Sequence, residues 1–220
     1  MLEELKKANE YIVSKISEND SHILEMEKFA LENNVPIVTK EVAKYLEFLV
    51  RTQKVKKALE IGTAIGYSGI LILNAMGRDG NLTTIEIDQE RYNQAEENFK
   101  KTSHDGVQQY LGDANDILPI LEKKEKKYDF IFIDASKGQY QKFFEVAYKM
   151  LEKDGMIFID NIMFRGYLYN EYPKRFKTIV TKLDKFIDYL YEEHDFVLLP
   201  FGDGVGLISH KQNVIKKIDN

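Results

Sequence analysis

Residues 59–68 read Leu-Glu-Ile-Gly-Thr-Ala-Ile-Gly-Tyr-Ser, and this stretch decides the fold. An apolar run, Val55–Ile61, leads into two glycines, which allow a tight turn and a close approach of the backbone to a ligand. Ser68 then stands where a helix N-cap is expected. The spacing is not the G-x-G-x-x-G of dinucleotide sites, and the Lys-Ser/Thr pair of a P-loop is missing. The stretch predicts a strand–turn–helix unit, with an ordinary structural turn as the alternative.

The same alternation continues along the chain. The apolar runs are Val55–Ile61, Leu82–Ile87, Val107–Leu111, Tyr128–Ile133, Met156–Ile159, Phe196–Leu199 and Val205–Ser209. Helical patterns lie at Ser68–Met76, Gln89–Lys101, Asn115–Glu122, Gln139–Leu151 and Pro173–Tyr191. Strands that alternate with helices predict right-handed crossovers and a mainly parallel α/β sheet. The last two runs are separated by the short Phe201–Gly204 segment, so we expect them to form an antiparallel hairpin.

Length and composition restrict the function classes. The chain has 220 residues, of which 44% are hydrophobic and 30% charged, so we expect one globular domain over 1–220. Its parts are an N-terminal helical extension (1–53), in which Thr39 stands at a helix N-cap position, and an α/β core (54–220). The chain has no cysteine, which excludes disulfides and thiolate chemistry and favours a cytoplasmic location. No apolar run is long enough for a membrane span, and the net charge of −5 does not indicate a general nucleic-acid coat.

Acidic side chains follow the second and third apolar runs. In an open parallel sheet, ligands bind beyond the carboxyl ends of the strands. Glu86 can accept hydrogen bonds from ribose hydroxyls there, or it is a solvated strand end. Asp113 can accept the exocyclic amine of an adenine while the small Ala114 leaves room for the ring, but an aspartate that caps the following helix explains Asp113 equally well.

Oxygen donors also follow the fourth and fifth runs, at Asp134, Asp160 and Asn161. Two carboxylates and one amide, without His or Cys, favour Mg²⁺ or Ca²⁺ over zinc. Two helix-capping aspartates are the alternative. Lys137 lies three residues beyond Asp134. A lysine beside a cation and a desolvated substrate loses its proton more readily and can act as a base, whereas an exposed loop lysine is the plainer interpretation.

Taken in order, these pieces resemble the cation-dependent O-methyltransferases, the family of catechol and caffeoyl-CoA O-methyltransferases. The motifs are L-E-I-G-T-x-x-G-Y-S, Glu86, Gly112-Asp-Ala114, Asp134-x-x-Lys137 and Asp160-Asn161. The resemblance implies a class I, S-adenosylmethionine-dependent methyltransferase (Rossmann-like) fold with strand order 3-2-1-4-5-7-6. It also implies two cofactors, S-adenosylmethionine and Mg²⁺ or another divalent cation.

The resemblance also implies a role for each matching residue. Those for the cofactor are Val38, Glu60, Gly62 and Ser68 near the methionine end, Glu86 at the ribose, and Asp113 and Ala114 at the adenine, with Asp134 as a further cofactor residue. Asp134, Asp160 and Asn161 correspond to the metal ligands. Lys137, together with Asp134, corresponds to the reacting centre.

The segment after Asn161 bears on the methyl acceptor. It reads Ile-Met-Phe-Arg-Gly-Tyr-Leu, and the chain lacks the tryptophan that is often found in this loop of the plant and animal enzymes. This loop is most similar to the bacterial branch that includes tRNA 5-hydroxyuridine methyltransferases, which implies tRNA as substrate, with Arg165, Lys174 and Arg175 near its phosphates. The alternatives are a small catechol-like acceptor, a solvated surface for these three side chains, and a non-catalytic binding module. The apolar N-terminal helices favour a homodimer.

Overall fold

One sheet forms the centre of the molecule. The computed structural model describes residues 2–18 and 20–211, so Met1, Asn19 and 212–220 of the predicted domain lie outside the described residues. The strands are β1 (Lys57–Ile61), β2 (Asn81–Glu86), β3 (Val107–Leu111), β4 (Tyr128–Ile133), β5 (Leu151–Ile159), β6 (Asp195–Leu199) and β7 (Val205–Ser209). Their order is β3-β2-β1-β4-β5-β7-β6. Strands β1 to β5 are parallel, and β7 is antiparallel to both β5 and β6. The predicted sheet, its order and its hairpin are confirmed.

Helices cover both faces of this sheet. They are α1 (Leu2–Lys15), α2 (Ser21–Asn33), α3 (Lys40–Thr52), α4 (Tyr67–Met76), α5 (Gln89–Lys100), α6 (Ala114–Lys123), α7 (Tyr140–Lys149) and α8 (Lys177–Glu193). One core unites α2, α3, α4 and α5 with one face of the sheet, and a second core unites α6, α7 and α8 with the other. Central strands are therefore buried on both sides, which is why β1 and β4 are nearly continuous apolar runs. Among the described residues, no helix is both long and apolar enough to cross a membrane.

Helices α2 and α3 bury their apolar stripes in the first core. Met26 and Ala30 of α2 pack there with Leu46 and Val50 of α3. We retain, as a proposal, the division of the chain into a helical extension (1–53) and a core (54–220). The connection between α2 and α3 carries Val38, which is buried and lies next to the carboxyl ends of the strands.

The predicted N-cap position of Thr39 at the start of α3 is confirmed, although its side chain makes no capping bond. Two other local expectations were wrong. Ser68 does not cap α4, because Gly66 is the N-cap and the Ser68 hydroxyl is bonded to Glu60 instead. Strand β5 begins at Leu151, where a helix was expected, because the polar residues 152–154 continue the strand without an apolar pattern.

Helix α8 also begins later than expected. The prediction placed its start at Pro173, whereas the structure begins the helix at Lys177. Residues Lys174–Phe176 form a short 3₁₀ turn between the two positions. Lys174 and Arg175 therefore lie in the connection that leads into α8 and not on its surface.

Candidate active site

The carboxyl ends of β1, β2, β3 and β4 surround a cavity of about 490 Å³. It lies where the strand order reverses, between β1 and β4, which is the expected ligand position in such a sheet. Most of the predicted cofactor residues line it, namely Val38, Gly62, Ser68, Glu86, Asp113, Ala114 and Asp134. Lys137 and Asn161 line it as well. Glu60 and Asp160 lie behind its wall, since both are almost completely buried.

Gly62 determines how closely β1 and β4 approach each other at this cavity. Its φ is +102°, a conformation that side chains disfavour. A Cβ atom at this position would lie 2.1 Å from the backbone oxygen of Asp134. The glycine is therefore required by this close contact as well as by the turn.

Glu60 is fully buried beneath the glycine turn. Its Oε1 accepts a hydrogen bond from the Ser68 hydroxyl at 2.6 Å, and its Oε2 accepts one from the Thr84 hydroxyl at 2.6 Å. Thr84 is also bonded to the Thr63 hydroxyl at 2.5 Å. Burial raises the pKa of Glu60 to about 7, against the effect of the two hydroxyl bonds and reinforced by the charges of Asp134 and Glu86. Glu60 therefore supports the cavity wall and does not line the cavity.

The carboxylate of Glu86 accepts three backbone hydrogen bonds. The donors are the N–H groups of Ala64 at 2.7 Å, Ile87 at 3.0 Å and Asp88 at 2.9 Å. This arrangement fixes the carboxylate at the end of β2 against the glycine turn. A carboxylate has about four acceptor positions, so one remains for a ligand hydroxyl.

Asp113 caps α6. Its Oδ1 accepts bonds from the backbone and side-chain nitrogens of Asn115 at 2.8 and 2.9 Å. The helix-cap alternative for Asp113 is thus observed, while its other oxygen remains for a ligand. Sequence reasoning missed Ile87, whose apolar side chain lines the cavity and is 67% exposed, and which directly follows the predicted ribose residue.

The second group of acids lies at the ends of β4 and β5. Asp160 is 1% exposed, and its Oδ1 accepts a bond from the backbone N–H of Asn161 at 2.8 Å. Burial and the neighbouring charge of Asp134 raise the pKa of Asp160 above its usual range. Asn161 adopts a left-handed backbone conformation with a φ of 52°. Asp134, Asp160, Asn161 and Lys137 are called the acidic cluster below.

Lys137 is bonded within this cluster, which argues against the interpretation as an exposed loop lysine. Its Nζ donates to Asp134 Oδ1 at 3.1 Å and to Asn161 Oδ1 at 3.2 Å. It also lies 5.5 Å from the centroid of the Tyr140 ring, and the Tyr140 hydroxyl donates to the backbone oxygen of Asp160 at 2.8 Å. Lys137 is therefore a positioned cavity residue and not a free surface lysine.

The acidic cluster fits a hard divalent cation. It has two carboxylates and one amide oxygen as donors, and its lysine neutralises only one of the two carboxylate charges. The pKa of Asp160 is raised first by burial and then by the neighbouring charge of Asp134. Within residues 2–18 and 20–211, no three His, Cys, Asp or Glu side chains form a metal-binding group, so the amide of Asn161 would have to serve as the third protein donor.

The loop after Asn161 is held by the hairpin between β6 and β7. Phe164 and Arg165 have positive φ angles of 47° and 60°. The N–H of Arg165 donates to the Asp203 carboxylate at 2.5 Å, and the N–H of Met163 donates to the Asp203 backbone oxygen at 2.9 Å. Sequence reasoning missed Asp203, although its place in Phe-Gly-Asp-Gly marked it as a turn residue.

The three predicted acceptor residues do not line the cavity. Arg165, Lys174 and Arg175 are exposed on the surface beyond Asn161. The Arg175 guanidinium lies 4.8 Å from the centroid of the Phe176 ring. These side chains are thus available to a substrate larger than the cavity, and a small substrate would not need them.

Comparison with known proteins identifies the family. An O-methyltransferase family model matches residues 14–211. Tapetum-specific methyltransferase 1 of Arabidopsis thaliana is 31% identical over 183 residues, which is 80% of this chain and 77% of that protein. A catechol O-methyltransferase of Niastella koreensis is 30% identical over 170 residues, 76% of this chain and 77% of its own.

Solved structures agree with the sequence relatives. Podospora anserina methyltransferase PaMTH1, bound to SAH, has a TM-score of 0.84 at 25% identity and covers 96% of each chain. An O-methyltransferase from Bacillus cereus in complex with SAH has a TM-score of 0.82 at 25% identity, over 95% of this chain and 100% of that one. SAH is the product that S-adenosylmethionine leaves after methyl transfer. The chain belongs to the O-methyltransferase family, and it is an S-adenosylmethionine-dependent enzyme that methylates a hydroxyl group.

Proposed function

We propose that this enzyme uses a divalent cation, Mg²⁺ or a similar ion, and methylates a ring hydroxyl that lies beside a second oxygen. The observation that carries the proposal is the acidic cluster at one end of the cavity, with Lys137 bonded to Asp134 and Asn161. A hydroxyl next to a carbonyl or a second hydroxyl offers two hard donors to such an ion. The acceptor we favour is 5-hydroxyuridine at the wobble position of tRNA, which would become 5-methoxyuridine.

The cofactor would extend along the cavity from β3 to β4. The adenine would lie against Ile87 and Ala114, with its amine directed to the free oxygen of Asp113. Glu86 would accept a bond from the ribose. The methionine end would then lie between Val38 and Ser68, which line the opposite end of the cavity.

The chain's own groups have distinct tasks in methyl transfer. S-adenosylmethionine supplies the methyl group, and the cation, when bound, lowers the pKa of the acceptor hydroxyl. Asp134, Asp160 and Asn161 would hold that cation, which would place the acceptor in line with the sulfonium. Lys137, positioned by Asp134 and the Tyr140 ring, would serve as the base only as a neutral amine, and its Nζ would then take the acceptor's proton.

Support for an RNA substrate comes from residues 164–177, called the aromatic–basic strip below. Two of its aromatic side chains are exposed, Tyr169 at 68% and Tyr172 at 37%. Arg165, Lys174 and Arg175 are exposed on the same segment. Exposed aromatic rings stack on unpaired bases and basic side chains contact phosphates, which is the combination used to bind single-stranded nucleic acid. A wobble base lies in such a single-stranded loop.

A small catechol-like acceptor is the second candidate. It is favoured by the relatives named for catechol and caffeoyl-CoA, and by the net charge of −5. A catechol carries two adjacent hydroxyls and would need the acidic cluster but not the aromatic–basic strip.

We also propose that the enzyme forms a homodimer through its N-terminal helices. Large apolar side chains on these helices are exposed, among them Tyr11, Ile12, Leu31 and Phe48. Association through these side chains would remove apolar surface from water. Sedimentation or light scattering of the purified protein tests this, and a monomer at micromolar concentration would contradict it.

Nucleoside mass spectrometry of tRNA from cells that lack the protein tests the substrate. We expect 5-methoxyuridine to disappear and 5-hydroxyuridine to accumulate. Complementation with the wild-type chain should restore the modification. Unchanged 5-methoxyuridine, together with turnover of catechols in vitro, would assign the function to the small-molecule alternative.

The aromatic–basic strip has its own test on purified tRNA. Replacing Arg165 and Arg175 with Ala should raise KM for tRNA and flatten its dependence on salt, because fewer phosphate contacts release fewer counterions. The matched control is Lys124→Ala, an exposed lysine between α6 and the start of β4, at the end of that strand opposite the cavity. Equal effects of the two changes would remove the strip from the substrate site.

A further inference from the structure

Tyr140 lies behind the acidic cluster, at the first position of α7. It is 1% exposed and does not line the cavity, so it does not reach a ligand there. Its ring packs in the second core, where a phenylalanine would fill nearly the same volume. Packing alone therefore does not explain the hydroxyl, which donates to the backbone oxygen of Asp160 at 2.8 Å.

This hydroxyl completes the hydrogen bonds of one peptide group, the one that joins Asp160 to Asn161. A backbone carbonyl oxygen only accepts, so Tyr140 must be the donor in its bond to that group. The N–H of the same peptide group donates to Asp160 Oδ1 at 2.8 Å. Both polar ends of the peptide are thus occupied, and its plane cannot rotate without breaking one of the two bonds.

The orientation of this peptide group determines where the Asn161 side chain lies. Asn161 has a φ of 52°, a left-handed conformation that asparagine adopts more readily than most residues. A rotation of the peptide plane would change this φ and carry the side-chain amide away. The amide oxygen accepts a bond from Lys137 Nζ at 3.2 Å and is the third protein donor in the proposed cation site. A fixed peptide therefore keeps this oxygen in the acidic cluster.

We propose that Tyr140 is a positioning residue for the cation, because its hydroxyl holds the peptide group that directs the Asn161 amide oxygen toward the ion. Tyr140 touches neither cation nor cofactor nor acceptor and acts through the main chain. Groups that orient metal ligands from behind commonly strengthen metal binding. The inference rests on the divalent cation proposed above, and it adds a residue that the sequence motifs did not single out.

The test measures binding of Mn²⁺ alone to the purified, chelator-treated chain, through the loss of the paramagnetic resonance signal of free Mn²⁺. Tyr140→Phe keeps the ring, which lies 5.5 Å from Lys137 Nζ, and loses only the hydroxyl. We expect its Mn²⁺ affinity to fall about tenfold, the lower end of the usual range for a lost support of a metal ligand. Affinity for S-adenosylhomocysteine, measured by calorimetry, should stay within about twofold of the wild-type value, because the proposed cofactor residues are unchanged.

The matched control is Tyr148→Phe. Tyr148 also lies on α7, but its hydroxyl is bonded to His210 Nδ1 and does not contact the acidic cluster. This variant should bind Mn²⁺ like the wild type. Replacing Tyr140 with 4-aminophenylalanine, whose N–H can donate to the same carbonyl oxygen, should restore the Mn²⁺ affinity that Tyr140→Phe loses.

Failure of the inference and failure of the proposed cation give different results. A wild-type chain that binds no Mn²⁺ would overturn both. If the wild type binds Mn²⁺ and Tyr140→Phe binds it equally well, only the inference is overturned. Equal weakening of Mn²⁺ and S-adenosylhomocysteine would make Tyr140 a merely structural residue, which also overturns it. If Tyr140→Phe does not fold, the 4-aminophenylalanine variant decides, since Mn²⁺ affinity about tenfold below the wild-type value would contradict the inference and an unchanged affinity would support it.

Discussion

Glu60 and Asp160 are both buried acids with a raised pKa, yet their surroundings differ. Glu60 accepts hydrogen bonds from two neutral hydroxyls, those of Ser68 and Thr84, one on each carboxylate oxygen. Asp160 lies beside a second carboxylate, and the cluster's lysine is bonded to Asp134 and Asn161 instead. The hydrogen bonds of Glu60 are complete without another ion, whereas the acidic cluster has more negative charge than its lysine neutralises. A raised pKa by itself therefore does not distinguish a structural carboxylate from one that is suited to hold a cation.

The largest expected difference between the two groups concerns metal removal. If the acidic cluster holds the proposed cation, a chelator should abolish turnover, while affinity for S-adenosylhomocysteine should stay within about twofold of that of the untreated enzyme. Asp160→Asn, which keeps the size of the side chain, should reproduce this separation of turnover from cofactor binding. Full turnover of a metal-free sample would disprove the cation assignment and leave general-base catalysis alone.

The next effect in size is expected at Lys137. Lys137→Ala should lower kcat by roughly 10²–10³, the usual range for a removed general base. The loss should shrink as pH rises, because the acceptor hydroxyl then ionises without help. Cofactor affinity should not change, since the proposed ribose and adenine residues Glu86, Asp113 and Ala114 are untouched. Lys142→Ala, an exposed lysine on α7, is the control. A wild-type kcat in the Lys137 variant from about pH 6 to 9 would leave the cation as the only activator.

The smallest expected effect is on the free energy of unfolding, and it measures the contribution of Glu60 alone. Its pKa is raised to about 7 from 4.5, so the native state keeps a proton that the unfolded state releases between these values. The free energy of unfolding should therefore fall as pH rises through this window, by roughly 3 kcal/mol at 1.36 kcal/mol per unit. The Glu60→Gln variant has no carboxyl group at this position, so it lacks this pH dependence. Urea unfolding at several pH values should show the wild-type and variant curves converging or crossing, whereas parallel curves would contradict the raised pKa.

The sheet was predictable because its signals are local. Apolar runs such as Tyr128–Ile133 and the short Phe201–Gly204 segment indicate strands and a hairpin without knowledge of distant residues. The predictions failed for residues whose hydrogen-bond partners lie far away in the sequence. The hydroxyl of Ser68 binds Glu60 rather than its own helix end, and Thr84 gains importance only because β2 lies beside β1. Asp203 is similar, since its bond to Arg165 joins residues 38 positions apart.

The candidate site was predicted because acidic residues follow successive strands, and a parallel sheet brings the carboxyl ends of its strands together. The sequence did not show which of these acids line the cavity and which are buried behind its wall. Glu86 and Asp113 line the cavity, whereas Glu60 and Asp160 lie behind its wall. Depth depends on packing from both faces of the sheet, and no single motif contains that information.

The contact between Gly62 and Asp134 has an evolutionary consequence. Any side chain at position 62 would collide with the backbone oxygen of Asp134, so the turn after β1 and the end of β4 approach each other through main chain at this point. In the proposed site, this contact would set the distance between the methyl donor and the acidic cluster, and a substitution at position 62 could not adjust it without moving the backbone. New acceptors would then have to arise through changes elsewhere, above all in the exposed aromatic–basic strip. Under this proposal, the reaction and the choice of substrate would depend on separate parts of one chain.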